Sequence, residues 1–220
     1  MIVDPGNYSR FAAIGKEYVI NDRDYTPPPS LLEQLSQIGV SRENINYVVI
    51  THGHYDHYAG STFKSNENEI VPTFPRALHF LGKQDFESQQ MQEGLRKVNS
   101  ETNETVGVLL RRGLLELVEA GRQISDEVEI IPAPGESPGH KIVRISSNEE
   151  TLYCVGDLFH HSSEVENPTW MARWNDYETS VQSRTELTKS ALAENALITA
   201  AHMPLGRVER RNEKVVFVVV

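Results

Sequence analysis

Three histidines and an aspartate fall within the short run Thr51-His52-Gly53-His54-Tyr55-Asp56-His57. Imidazole nitrogens and carboxylate oxygens at this density are the donor set of a divalent metal site. A lone histidine more often serves as a core or surface residue, but four such groups on one segment point to metal. The run follows Tyr47-Val48-Val49-Ile50, whose continuous apolar character predicts a buried strand. The cluster therefore belongs in the loop at that strand's carboxyl end, where catalytic ligands are usually carried.

Three later positions have compatible chemistry beside strand-like runs: His140 in Pro134-Gly135-Glu136-Ser137-Pro138-Gly139-His140, Asp157 in Val155-Gly156-Asp157, and His202 in Thr199-Ala200-Ala201-His202. Alone, His202 is an ordinary loop histidine and Asp157 could cap a turn. Four strand ends delivering ligands to one edge would build a single site, and the first cluster is what raises the other three.

The elements that must position these groups can be read in outline. Ile2 through Gly6 looks like a strand running into a turn, which would have to lie at an edge or pair with something remote. Tyr25 through Pro29 is a stiff connector. Ser30 is placed to cap a helix over Leu31 to Ile38, with Glu33 completing a capping box and Gly39 stopping it. Leu31, Leu35 and Ile38 share a face that should pack on a sheet. Arg76 to Phe80 predicts a short strand, and residues 82–107 read as helix plus excursion, a candidate cover over the site. Strands are expected around Leu114 to Val118, Val128 to Pro132, Lys141 to Ile145, Thr151 to Val155, Ala196 to Ala201 and Lys214 to Val220, with an amphipathic helix over 177–193.

The 220 residues form one expected domain, 1–220, with no composition shift marking a second. A formal charge of -10 argues against nucleic acid, because the sole basic run, Arg207-Val208-Glu209-Arg210-Arg211, is interrupted by glutamate and reads as a solvated strand or turn. The single cysteine, Cys154, lies in an apolar run and is expected to be a small buried core residue. No stretch has the length of a membrane-spanning helix and no basic-then-apolar leader opens the chain, so a cytoplasmic protein without a membrane partner is the expectation.

The ligand pattern resembles the metallo-beta-lactamase superfamily through most of the chain. His52, His54, Asp56 and His57 stand at that family's defining motif, His140 at its second, Asp157 at its third and His202 at its fourth. The resemblance implies an α/β fold, a four-layer αββα sandwich of two mixed sheets between helices. It implies a first metal on His52, His54 and His140, a second on Asp56, His57 and His202, and Asp157 bridging them. Asp4 resembles the family's strand-end aspartate, which supports the ligands. Gly156-Asp157-Leu158-Phe159-His160, Pro168-Thr169-Trp170 and Ala201-His202-Met203-Pro204 look like the branch containing methyl parathion hydrolase and related lactonases and esterases. Better-known acyl-homoserine lactonases carry tyrosine where this chain has His160, and the family often has histidine where Glu136 stands. Relatives usually place one or more strands before the segment matching Ile2 to Gly6. The expectation is a fold without those first strands, whose exposed sheet edge a second copy could cover as a homodimer.

Nitrogen and oxygen donors without thiolate suit two zinc ions, with Mn, Fe or Co able to occupy such a site. Two cations sharing Asp157 would share a water, whose pKa falls from about 15.7 to roughly 7 on metal, giving a hydroxide nucleophile for a small-molecule lactone, carboxyl ester or phosphotriester. Asp56 is expected to orient that nucleophile and carry its proton. His160 either contacts the substrate or leaving group or is a supporting loop histidine. Trp170 and Trp174 either line a pocket for an acyl or aryl group or anchor a lid to the core. His79 and His161 read as structural or surface residues. Competing readings are a thioesterase of the glyoxalase II kind, for which the basic glutathione-binding residues are not recognised, an iron-dependent redox enzyme on the same fold, and a non-catalytic binding subunit. A beta-lactamase and a nuclease are disfavoured.

Overall fold

The computed structural model describes residues 1–6 and 29–220, so the connector expected at Tyr25–Pro29 lies, apart from Pro29, outside the described residues. In chain order the elements are β1 (Ile2–Val3), α1 (Leu31–Gln37), β2 (Tyr47–Ile50), α2 (Tyr55–Tyr58), β3 (Thr62–Lys64), β4 (Ile70–Pro72), β5 (Leu78–Gly82), α3 (Lys83–Phe86), α4 (Gln89–Arg96), α5 (Glu101–Glu104), α6 (Val106–Arg111), β6 (Leu115–Val118), β7 (Arg122–Ser125), β8 (Val128–Pro132), β9 (Lys141–Ser147), β10 (Glu150–Cys154), α7 (Ser162–Glu166), α8 (Tyr177–Glu194), β11 (Leu197–Ala200), β12 (Met203–Arg211) and β13 (Lys214–Val219). They fall into two compact units. One comprises Met1–Ile50, His54–Phe80 and Ser88–Glu116, the other Thr51–Gly53, Leu81–Glu87 and Leu117–Val220.

The first unit holds most of a four-stranded sheet of order β1-β2-β5-β6. β1 pairs in parallel with β2, Ile2 opposite Val48 and Val3 opposite Val49, so the opening strand is both outermost in its sheet among the described strands and paired with a remote segment. Val48, Val49 and Ile50 are buried, as their unbroken apolar run requires. α1 starts as its sequence dictates: Ser30 Oγ accepts from Glu33 N–H at 3.3 Å, and Glu33 Oε2 accepts from Ser30 N–H at 2.6 Å. Ile38 departs from expectation and is 73% exposed. It is the C-cap, with φ -97° and ψ 13°, so its side chain leaves the face that Leu35 buries. The polar stretch expected to be helix plus excursion contains the short helices α3 to α6, of which α4 buries Met91 and α6 buries Val106 and Leu109.

His79 on β5 is fully buried and structural. Its Nδ1–H faces the carbonyls of Ala77 at 3.1 Å and Leu114 at 3.3 Å. Burial lowers its pKa to about 4 against an unperturbed 6.5. The unfolded chain therefore takes up a proton below pH 6.5 that the folded protein resists, and stability is lost as pH falls from 6.5 toward 4. The limiting loss is about 3 kcal/mol, from 1.36 kcal/mol per pKa unit. H79N keeps a donor for the two carbonyls but cannot titrate. Its urea midpoint should fall distinctly less than the wild type's between pH 7 and pH 4.5; parallel falls would refute the assignment.

The second unit carries a seven-stranded sheet of order β13-β12-β11-β10-β9-β8-β7. Within this sheet only the β10–β11 pair is parallel, and its crossover runs through α7 and α8. The core gathers Val155, Leu158, Phe159, Leu187, Ala191, Ile198 and Val208. β7 was not foreseen, and the basic run at Arg207–Arg211, expected as a solvated strand or turn, is strand within β12, paired residue by residue with β13. Cys154, expected in the core, is half-buried. No helix among the described residues is long and apolar enough to cross a membrane.

Candidate metal centre

Strand register brings three of the expected ligands together. Cys154 at the end of β10 pairs with Thr199 on parallel β11 and with Val143 on antiparallel β9. Three residues beyond that row the chain reaches Asp157, His202 and, counting backward on β9, His140. Two bonds carry the ladder toward them, Val155 N–H to Thr199 O at 2.8 Å and Ala201 N–H to Gly156 O at 3.0 Å. Gly156 turns the chain with φ +51°, and a Cβ there would strike the side chain of Thr51. At the result, Asp157 Oδ2 lies 3.5 Å from His202 Nε2, 3.4 Å from His160 Nε2 and 4.0 Å from His52 Nε2. The His52 and His140 rings are 5.2 Å apart.

Tautomers follow from the outer partners. His140 Nδ1–H donates to Ala133 O at 3.0 Å, which leaves Nε2 as the lone-pair nitrogen; it accepts the Asp157 N–H at 3.3 Å. In the first unit, His57 Nδ1–H donates to Asp4 Oδ2 at 2.9 Å, so its Nε2 is likewise the lone-pair nitrogen, 3.6 Å from Asp56 Oδ2. Asp4 has the left-handed φ of +47° and ties its own N–H to Val49 O at 2.9 Å. His54 is the N-cap of α2, whose first turn carries Asp56 and His57. His54, Asp56 and His57 thus belong to the first unit, and His52, His140, Asp157 and His202 to the second.

Asp85 was not singled out by sequence, yet it is the carboxylate that fixes the second unit's ligand loops. It is 3% exposed. Oδ2 accepts from Gly53 N–H at 2.8 Å and Ser137 Oγ–H at 2.6 Å, while Oδ1 accepts from Gly139 N–H at 2.7 Å. The residues after His52 and before His140 are therefore held by one charge. Gly139 admits this approach because a Cβ would sit 2.6 Å from Asp85 N. D85N, which presents N–H to donors, should weaken divalent-metal binding about 10- to 100-fold, the usual cost of losing such a partner. A chelator-competition titration checks this; unchanged affinity would reduce Asp85 to a packing role.

His160 and Trp174 complete the cluster. His160 stacks on His202 with centroids 5.9 Å apart, and Trp174 meets it edge-on at 6.3 Å. Trp174 Nε1–H donates to Glu136 Oε1 at 2.7 Å, and that oxygen is 3.8 Å from His160 Nε2. Trp174 is 66% and Trp170 59% exposed, which does not fit core anchors. His161 caps α7 by accepting from Ser163 N–H and lies apart from the cluster.

The donors fit divalent metal. Two ligand atoms about 2.0–2.1 Å from one zinc at a tetrahedral angle lie about 3.3 Å apart, close to the 3.5 Å from Asp157 Oδ2 to His202 Nε2. Glu136, Asp157 and His160 offer donor atoms all within 4.8 Å of one another. The His160 pKa is pushed up to about 10, first by Asp157 and then by Glu164.

A family model for the metallo-beta-lactamase superfamily matches residues 1–196. The chain belongs to that superfamily. Among solved structures, it is similar to the hydrolase AbOPH of the beta lactamase superfamily, with TM-score 0.76 and 18% identity over 100% of this chain and 75% of that one. It is similar to AidC, a dizinc quorum-quenching lactonase solved with the product N-hexanoyl-L-homoserine, with TM-score 0.70 and 22% identity over 100% and 75%. It also resembles a probable metal-dependent hydrolase from Staphylococcus aureus, with TM-score 0.70 and 18% identity over 88% and 69%. No curated protein matches the chain by sequence. This metallo-beta-lactamase member has the mixed α/β fold of those structures and His, Asp and Glu groups able to hold metal.

Proposed function

We propose that this superfamily member is a single-domain, binuclear metal-dependent hydrolase of lactones, carboxyl esters or phosphotriesters, with zinc as the metal. The observation that carries the reading is the register row that sets His140, Asp157 and His202 side by side, with His52 facing the same carboxylate. His54, Asp56 and His57 follow His52 within five residues of chain, which supports assigning all seven to one centre. His52, His54 and His140 would hold one ion, Asp56, His57 and His202 the other, and Asp157 both. When bound, such ions acidify water and polarise a carbonyl or phosphoryl oxygen.

The chain's own groups have distinct tasks in this reading. Asp56, half-exposed in the first turn of α2, orients the attacking water and accepts its proton. His160, whose Nε2 faces Asp157, donates to the substrate or its leaving group. Exposed Trp174, pinned through its Nε1–H to Glu136, offers a ring face to an acyl or aryl group, with Trp170 on the same segment. AidC, solved with an acyl-homoserine product, favours an acyl-homoserine lactone as the first substrate to try. The test is pH-indicator hydrolysis by zinc-loaded protein of that lactone and of an aryl phosphotriester, each with and without chelator. Chelator-sensitive turnover is expected. No turnover of either by folded protein carrying two ions per chain would overturn the reading.

A further inference from the structure

The longest helix among the described residues, α8, buries an arginine completely. The Arg184 side chain has no exposed surface, and its guanidinium is surrounded by acceptors from one segment, 158–170. Nε–H donates to Leu158 O at 2.7 Å, Nη1 to Pro168 O at 3.2 Å and to Trp170 O, and Nη2 to Glu164 Oε2 at 2.8 Å. The guanidinium carbon also lies 5.1 Å over the Phe159 ring. A charge of this kind is costly to bury unless its donors are met, and here four acceptors meet them. The segment it grips has only the five-residue α7 as regular structure. It begins directly after Asp157 and carries His160.

Glu164 extends the grip to His160. The same Oε2 that accepts from Arg184 accepts the His160 backbone N–H at 2.9 Å and lies 3.8 Å from its Nδ1. With that carboxylate on one side, the imidazole presents Nε2 to Asp157 on the other. We infer that Arg184 and Glu164 are positioning residues: Arg184 ties the 158–170 segment to α8 and, through Glu164, holds His160 in the orientation its chemistry needs. The inference rests on the role given to His160 in the proposed hydrolase.

Lysine at 184 keeps the charge but cannot serve four acceptors in a plane. R184K should lower kcat at least 10-fold, with KM within threefold and metal content unchanged. In an H160N background the same substitution should cost less than twofold, because its effect passes through His160. An equal loss in both backgrounds would overturn the inference. Should R184K fail to fold, Glu164 decides: E164Q retains an acceptor and should stay within threefold of wild type, whereas E164L should lose 10-fold or more, and full activity of E164L refutes the brace. A readout independent of turnover uses the two tryptophans, both beyond Pro168, and the His160 imidazole. R184K or E164L should shift the His160 ¹H–¹⁵N resonances and raise acrylamide quenching; wild-type signals in both would overturn the inference. If wild-type protein hydrolyses nothing while these signals move, the brace stands and the hydrolase reading falls.

Discussion

Asp157→Ala is expected to abolish turnover and strip metal together, with kcat/KM down by roughly 10³-fold or more and fewer than two zinc ions per chain by elemental analysis. Asp157 is 4% exposed, and three imidazole nitrogens, from His52, His160 and His202, lie within 4.0 Å of its Oδ2. Its backbone N–H is turned toward a fourth, His140 Nε2. Removing the carboxylate takes away the one anion that these imidazoles share. The fold should survive, because the neighbours that seat this turn are Val155, Leu158 and Phe159 in the core, and Gly156, whose left-handed φ makes the turn. Circular dichroism on the apo protein separates the outcomes. A folded D157A that keeps two ions and near-normal rates would remove Asp157 from the centre.

How much of this was legible beforehand depended on where each residue's signal lies. The His52–His57 run is local and chemically dense, so type and spacing alone expose it. His140, Asp157 and His202 each carry a weak signal, and their placement at strand ends after the first cluster, with the family resemblance, is what groups them. The physical reason they meet is a register relation among β9, β10 and β11, which is a property of pairing and cannot be read from any one strand. Asp85 gave no signal because it acts across more than fifty residues on Ser137 and Gly139 from within a polar stretch. Arg184 was hidden for a similar reason: in an amphipathic helix a charged residue is assigned to the wet face, and only the carbonyls of Leu158 and Pro168 explain its burial. β12 could be read only as a strand or turn at Arg207–Arg211, because its charges alternate with small and apolar residues, of which Met203, Gly206 and Val208 are buried. Ile38 was misplaced because the helical period was carried one residue past the last turn.

Asp56→Ala should lower kcat by about 10²- to 10⁴-fold, the range expected when a positioned general base is lost. Asp56 is suited to this by exposure: its side chain is 46% accessible while its neighbour His57 is 2%, held from behind by Asp4. A carboxylate whose only task was to hold an ion would gain nothing from this exposure to solvent. The two roles separate by leaving group. If Asp56 delivers the proton to the departing oxygen, the loss should be greatest for an alkyl ester or lactone, whose alkoxide is a poor leaving group. It should be smallest for a nitrophenyl ester, which needs no proton. If Asp56 only retains an ion, D56A should slow both substrates by the same factor, and excess zinc should restore them together. A D56A protein with two bound ions and near-wild-type rates on the alkyl substrate would take Asp56 out of the chemistry.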